Sequence, residues 1–239
     1  MAGKNKKRSR SAASGERPAR PPWRPGLVDA VVLAAIVAII VSPLFVRWSR
    51  GRQGSLDCAD NLKAIGMAIP AYAADWGGCL PYAVDPGDIS AANYDPYFRP
   101  QRAVMLAAPR LNVALLPYLP SAETFHCPLD RGFDYFHGTE QPVPAHARPT
   151  CFAAWGTSYN YHSQLSFDGV PYNQVGARDD INLVFDAHGS FHAVGTGPVR
   201  SFRYNVLYTD GHVKNVSRSE YADGWRSPMG YRGGYRAAD

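Results

Sequence analysis

An uninterrupted apolar segment, Leu27 to Val46, constrains this chain more than any other feature. Its only charged residue is Asp29. About 20 residues at roughly 1.5 Å per residue cross the ~30 Å hydrocarbon core of a bilayer, and a soluble core helix is seldom apolar on every face for that length. A cleaved signal sequence is the alternative, but the residues at 45–48 are too large for a signal-peptidase site. The segment therefore predicts a transmembrane helix over residues 26–48.

The charge distribution predicts the orientation of that helix. Residues 1–25 hold eight lysines and arginines against one glutamate, which leaves 17 basic and 19 acidic residues in the rest of the chain. Basic residues beside a first span stay in the cytoplasm, so we expect a disordered cytoplasmic leader over 1–25 and an exported head over 49–239. A nucleic-acid-binding arm is the alternative for the leader. Trp23 is its only aromatic residue and it adjoins the span, so we expect no nucleic acid partner.

A helical period resumes beyond the span. Apolar residues recur three and four positions apart on one side, at Leu56, Cys58, Leu62, Ile65, Ile69 and Tyr72. Gly77 and Gly78 can end a helix, and Pro70 should kink it. The pattern predicts one long helix over residues 27–76, with its first half in lipid and its second half packed on the head.

The strand signals come late in the chain. Short runs rich in aromatic and β-branched residues cover 158–161, 182–186, 204–208 and 212–216, whereas 79–110 is expected to be loop with short elements. Asp210-Gly211 between the last two runs predicts a hairpin with a two-residue turn. A long helix followed by antiparallel strands predicts an α+β fold with long irregular loops.

Four cysteines, Cys58, Cys79, Cys127 and Cys151, fit an exported domain. An even number suggests disulfides, with three possible connectivities that the sequence does not separate, and buried free thiols are the alternative. No Cys-X-X-Cys pair or zinc-like spacing occurs, so no structural zinc site is expected.

Ordered motifs give the chain a family resemblance. Residues 52–81 carry an Arg-X5-Cys-X-X-Asn-Leu-Lys pattern that continues through a glycine, a tyrosine and an aspartate, and later blocks follow in order. Over residues 26–216 the chain resembles type II secretion-like pseudopilins with a prepilin-type N-terminus and a C-terminal His-X9-Asp-Gly signature. The matching positions include Cys58, Asn61, Leu62, Gly66, Tyr72, Asp75, Cys127, Pro128, Asp210, Gly211 and His212.

The resemblance implies a type IV pilin-like fold, a bacterial inner-membrane location with a periplasmic head, and partners that are the membrane, other pilin-like subunits or secretion components. Gly26 and Leu27 would flank the peptidase cut, and Asp29 is the only acid near it, because Val31 stands where the family has glutamate. Arg200 replaces the histidine of the C-terminal signature. The missing glutamate argues against peptidase cleavage and against entry into a filament.

Possible chemistry is sparse. Asp186-Ala187-His188 and Asp210-Gly211-His212 repeat Asp-X-His, which on a strand could offer an oxygen and an imidazole to one metal ion. Asp75, Asp130, Asp186 and Asp210 could together bind calcium, but no tight Asp-X-Asp cluster occurs. We therefore expect no catalytic residues, no metal site and no cofactor, with calcium as the alternative.

Three functions follow from these features. The first is a non-enzymatic pseudopilin-like assembly component. The second is an anchored envelope module that binds carbohydrate or protein through aromatic loops at 76–97 and 155–172. The third is a metal-dependent enzyme built on the Asp-X-His pairs.

Overall fold

The computed structural model describes residues 26–94, 102–136, 143–193 and 201–225. The basic leader 1–25, Arg200 and the tail after Trp225 lie outside the described residues. The chain divides into two units, Met1–Val46 and Arg47–Asp239, and the second is called the head below.

Helix α1, Leu27–Asp75, begins in the first unit and ends in the head. All side chains from Leu27 to Val46 are exposed. By length and composition the helix is apolar enough to cross a membrane, a test that a signal sequence near the N-terminus also passes.

Within the head, α1 buries a single face. Its buried residues lie three or four positions apart: Gly54, Cys58, Leu62, Ile65, Ala68, Ile69, Tyr72 and Ala73. The predicted period is thus confirmed from Cys58 onward, but Leu56 is 52% exposed and the prediction for it was wrong. The helix continues through Pro70.

Glycine ends α1 as predicted. Gly77 and Gly78 have positive φ, and the Gly78 N–H donates to the Ala73 carbonyl at 2.7 Å. This bond spans the last turn and gives a donor to a carbonyl that has none within the helix.

A four-stranded antiparallel sheet forms the other layer. Its strands are β3 (Tyr159–Tyr161), β4 (Asn182–Asp186), β5 (Arg203–Tyr208) and β6 (Val213–Ser217), in the order β3-β4-β5-β6. The described residues also form a two-stranded ribbon of β1 (Tyr135–Phe136) and β2 (Val143–Pro144). The α+β class and all four predicted strands of the main sheet are confirmed.

The β5–β6 turn differs from the prediction. The Tyr208 N–H donates to His212 O, and the Gly211 N–H donates to Tyr208 O, so the loop has three residues, Thr209 to Gly211. Gly211 has φ of +91°, where glycine avoids a Cβ clash.

Short helices lie before, between and after the strands, with two of them in 79–110, where short elements were expected. They are α2 (Pro86–Tyr94), α3 (Arg102–Ala107), α4 (Leu111–Leu115), α5 (Cys151–Trp155), α6 (Ser163–Phe167), α7 (Tyr172–Val175) and α8 (Arg218–Asp223), with 3-10 turns at Leu116–Tyr118, Ala122–Phe125 and Gly189–His192. Most are too short for a periodic pattern to be read from sequence.

The sheet lies between α1 and α8. Gly66 of α1 faces Leu207 of β5 so closely that a Cβ there would lie 2.9 Å from the leucine Cδ1. On the opposite face Phe185, Val206, Tyr208 and Val216 form a second cluster against Tyr221 and Trp225. Alternation along β5 thus divides its side chains between two apolar layers.

Candidate functional site

Four potential metal ligands from distant parts of the head meet in its core. Cys58 lies on α1, Cys127 follows a 3-10 turn, Asp186 ends β4 and His192 ends another 3-10 turn. Their ligand atoms all lie within 4.8 Å of one another, and no residue of the four is more than 9% exposed. This group is called the Cys-Asp-His cluster below.

Cys58 and Cys127 are joined by a disulfide. The bond ties α1 to the segment that precedes the ribbon, across 69 positions of sequence. The other two candidates, Cys79 and Cys151, are free thiols, one half-buried and one buried. One of the possible pairings is therefore formed, and the second pair is not.

The His192 ring faces three polar groups through one nitrogen. Its Nε2 lies 3.1 Å from Asp186 Oδ2, 3.7 Å from Cys127 Sγ and 3.2 Å from Asn205 Nδ2. Asp186 Oδ2 also accepts the Asn205 backbone N–H. Asp186 Oδ1 and His192 Nδ1 are buried without a hydrogen-bond partner among the described residues.

A chain of hydrogen bonds orients the Asn205 amide toward His192. The Arg203 guanidinium can only donate, so the Asn215 oxygen Oδ1 accepts its hydrogen bond. The Asn215 amide nitrogen Nδ2 then donates to Asn205 Oδ1 at 2.8 Å. The remaining Asn205 Nδ2 then points at His192 Nε2. His192 Nε2 thus has both Asp186 Oδ2 and Asn205 Nδ2 within hydrogen-bond distance.

Asp130 organises the loops around the disulfide. It accepts the backbone N–H groups of Gly132, Cys151 and Phe152 and the Ser158 hydroxyl, at 2.7 to 3.1 Å. Ser158 Oγ in turn accepts the Cys127 N–H at 3.1 Å. The carboxylate is 8% exposed and is used within the fold.

A pair of carboxylates lies at the start of α2. Burial and the neighbouring Asp88 charge raise the pKa of Asp85 well above its usual value. Burial raises the pKa of Asp88 to about 6, against a Ser163 hydrogen bond that lowers it. The Asp88 N–H donates to Asp85 Oδ1 at 2.7 Å, so these two groups form a local unit at the helix N-terminus.

The two Asp-X-His pairs do not form one site. Asp186 contacts His192 rather than His188, whose ring instead stacks on Phe133 at 4.4 Å. Asp210 and His212 contact each other at 2.6 Å on the exposed β5–β6 turn. Since Asn182 pairs with Tyr208 while Asp186 pairs with Tyr159, the register places Asp186 at the far end of β4 from this turn.

The four aspartates considered for calcium also have separate partners. Asp75 accepts the Tyr118 hydroxyl at 2.9 Å, and Asp130 accepts the donors described above. Asp186 belongs to the Cys-Asp-His cluster, and Asp210 belongs to the turn. In the described residues these four carboxylates therefore do not form one calcium site.

Most family-motif residues have structural contacts. The Asn61 amide donates to His126 O at 2.8 Å, Leu62 is fully buried, and the Tyr72 hydroxyl accepts the Tyr82 N–H at 3.3 Å. Pro128, in contrast, is exposed. These contacts explain the motif between 58 and 75 as the part of α1 that packs on the head.

The residues predicted to flank a peptidase cut lie at the start of α1. The Gly26 N–H donates to Asp29 Oδ2 at 2.8 Å, and Leu27 is 84% exposed. A carboxylate in the first turn that receives this N–H stabilises a helix start. Asp29 therefore caps α1 in the uncleaved chain.

The aromatic loops proposed for ligand binding differ in exposure. Trp155, Tyr159 and Tyr161 are at most 6% exposed and belong to the core, whereas Trp76 and Tyr82 are 61% and 47% exposed. An open groove of about 440 Å³ runs past Pro70, Gly77 and Tyr172. Within 155–172, Trp155, Tyr159 and Tyr161 therefore belong to the core, whereas Tyr172 lines the groove.

The Cys-Asp-His cluster is not predicted by the sequence. Its members are separated by 69, 59 and 6 positions, so no single short motif contains all four. From the sequence, Asp186 is expected to end a strand and to share a face with His188. The second expectation is wrong, because Asp186 contacts His192 instead.

No family model matches this sequence, and no curated protein or solved structure matches it.

Proposed function

We propose that this chain is a membrane-anchored, pseudopilin-like assembly component of a type II secretion or pilus-like system. Its role is non-enzymatic, with the leader in the cytoplasm and the head in the periplasm of a bacterial inner membrane. The observation that carries the proposal is α1: a single helix that is apolar on all faces over Leu27–Val46 and buries one face in the head.

The apolar segment supplies the driving force for assembly. Each apolar side chain removed from water contributes about 1.5–3 kcal/mol, so a helix of this length stays in a bilayer or against similar helices. Packing against copies of such a helix would hold subunits together through their N-terminal segments. The head remains free to contact partners through its loops.

Asp29 gives this proposal a specific local mechanism. Cleavage after Gly26 would remove the N–H that Asp29 now accepts and create a Leu27 ammonium two residues away. The freed carboxylate would then pair with an N-terminal ammonium, as the family's glutamate does at the position that Val31 occupies here. This assignment makes Asp29 a residue for register between subunits.

Replacement of residues 27–46 by an unrelated apolar span of equal length tests the proposal. We expect the head to fold, with the Cys58–Cys127 disulfide intact on non-reducing mass spectrometry, and co-purification with pilin-like subunits to be lost. An Asp29→Asn variant is the matched single change and should weaken co-purification without changing membrane insertion. Normal co-purification of the span-swapped chain would overturn the proposal.

N-terminal sequencing of the chain from native membranes separates a filament subunit from a permanent anchor. A new N-terminus at Leu27 supports entry into a filament. A retained basic leader would contradict processing and would favour an anchored envelope binding module instead.

A further inference from the structure

The Cys-Asp-His cluster has the ligand types of a zinc-class site. Thiolate, imidazole and carboxylate are the side chains that bind Zn²⁺ in four-coordinate sites. The cluster offers two sulfurs, one imidazole nitrogen and one carboxylate from four chain segments. All four residues lie in the core of the head.

The separations from His192 match a tetrahedral ion, and the two sulfurs would move apart once the bond between them is reduced. Bond lengths of about 2.0–2.3 Å imply ligand–ligand distances of about 3.3 Å for nitrogen to oxygen and about 3.6 Å for nitrogen to sulfur. The corresponding separations here are 3.1 Å from His192 Nε2 to Asp186 Oδ2 and 3.7 Å from His192 Nε2 to Cys127 Sγ.

The cluster contains buried polar atoms whose hydrogen-bonding capacity is not used. His192 Nε2 lies within hydrogen-bond distance of Asp186 Oδ2 and Asn205 Nδ2, and its Nδ1 has no partner among the described residues. Asp186 Oδ1 is buried and has no hydrogen-bond partner among the described residues. A buried acceptor without a donor is costly, and a cation at the carboxylate would satisfy it.

We propose that reduction of the Cys58–Cys127 disulfide converts the cluster into a tetrahedral site for a zinc-class divalent cation. The ligands are both cysteine sulfurs, the Asp186 carboxylate and His192 Nε2. The ion replaces the Asn205 amide at His192, and that amide keeps Ser55 O as its acceptor, at 3.4 Å. The inference does not depend on the proposed assembly function.

The conversion balances in electrons, protons and charge. A dithiol transfers two electrons and two protons to the disulfide and becomes a disulfide itself, and the two new thiols release their protons to solvent when the ion binds. Counting Asp186 as a carboxylate and His192 as neutral, the oxidised cluster carries −1. Two thiolates, one carboxylate and one divalent cation also sum to −1. The exchange therefore adds no net charge to the buried core.

The two states would link the same parts of the head. In the oxidised state the disulfide joins α1 to the Cys127 segment, and in the reduced state the ion joins both to β4 and the following 3-10 turn. Reduction without the cation would remove the link between α1 and the Cys127 segment.

Cobalt titration of the full-length chain in detergent tests the inference. Co²⁺ is used because its thiolate complexes absorb visibly, and a phosphine is the reductant because dithiols bind the ion. The reduced chain should bind one equivalent with thiolate charge-transfer absorption that Zn²⁺ displaces, whereas the oxidised chain should show none. Absence of stoichiometric binding to the reduced chain would overturn the proposal.

Variants distinguish the four-ligand site from binding by thiols alone. Asp186→Asn and His192→Gln should each weaken Co²⁺ binding at least tenfold, whereas Cys79→Ser should leave it unchanged. Oxidised samples of each variant are first checked for the Cys58–Cys127 disulfide by mass spectrometry, which reports folding independently of the metal. If both ligand variants retain the affinity and spectrum of the unmodified chain, the ion is bound by the cysteines alone and the assignment is wrong.

Discussion

The Ser158 hydroxyl donates to Asp130 Oδ2 at 2.7 Å and accepts the Cys127 N–H at 3.1 Å. This bridge joins two sequence blocks 28 positions apart at the start of β3. Since Asp130 also accepts three backbone N–H groups, one buried carboxylate fixes the loop on both sides of the ribbon. Its role is structural, and it places the disulfide segment beside the sheet.

Replacement of Asp130 by Ala should therefore lower the free energy of unfolding of the head by about 3–5 kcal/mol. The change leaves four donors without their acceptor, and each unsatisfied buried group costs about 1–3 kcal/mol before water compensates. Urea unfolding of the full-length chain in detergent measures the loss. Asp60→Ala is the control, because Asp60 forms an exposed pair with Lys63. Equal effects of the two variants would contradict the role given to Asp130.

Gly132 should be intolerant of any side chain. Its φ is +60°, and a Cβ there would overlap the Ala147 carbonyl oxygen and lie 2.8 Å from Pro149 O. Because both neighbours are backbone atoms, Gly132→Ala should destabilise the head by more than about 3 kcal/mol.

Gly169 provides the matched control for that substitution. It has φ of +65°, and no atom lies within 4 Å of the point that an added Cβ would occupy, so Gly169→Ala should cost only the left-handed backbone term, about 1–2 kcal/mol. Thermal unfolding of both variants measures the difference. Similar midpoints would mean that the contact with Ala147 relaxes readily.

The sequence predicted those elements that carry a local period. The face of α1 from Cys58 to Ala73 repeats every three to four residues, and the four strands of the main sheet consist of aromatic and β-branched runs. In both cases one side of the element is buried, so burial is visible in the spacing. The glycine pair after Trp76 likewise marked the end of α1.

The remainder depends on long-range contacts that no spacing encodes. The described part of 79–110 contains α2 and α3, of nine and six residues, whose ends are set by packing rather than propensity. Asp186 was paired with His188 from strand alternation, but β4 ends at Asp186 and the chain turns, which brings His192 to the carboxylate instead. The cysteine pairing required the same tertiary information.

The stability of the head should fall as pH rises from about 4 to 6. Burial raises the pKa of Asp88 to about 6 in the folded state, so the folded chain keeps a proton that the unfolded chain has lost in this window. Stability falls wherever the folded state holds more protons. Asp88→Asn should make this dependence shallower and raise stability at pH 7 by about 2 kcal/mol, a figure that allows for its partial exposure. The raised pKa of Asp85 should maintain the remaining slope.

Urea unfolding at several pH values between 4 and 8 measures this effect. Asp60→Asn is the control, because its side chain is 70% exposed and should leave the pH profile unchanged. An Asp88→Asn profile as steep between pH 4 and 6 as that of the unmodified chain would assign the titration to another group, of which Asp85 is the nearest.

The two free thiols should differ sharply in reactivity. Burial and the nearby Asp130 charge raise the pKa of Cys151 well above its ordinary value, and its side chain is fully buried, whereas Cys79 is only half-buried. Because the thiolate is the reactive species, iodoacetamide should modify Cys79 in the native, non-reduced chain and leave Cys151 unmodified. Peptide mass spectrometry after timed alkylation measures both rates, and unfolding in urea should make them equal. Comparable modification of Cys151 in the native chain would mean that α5 opens on the timescale of the reaction.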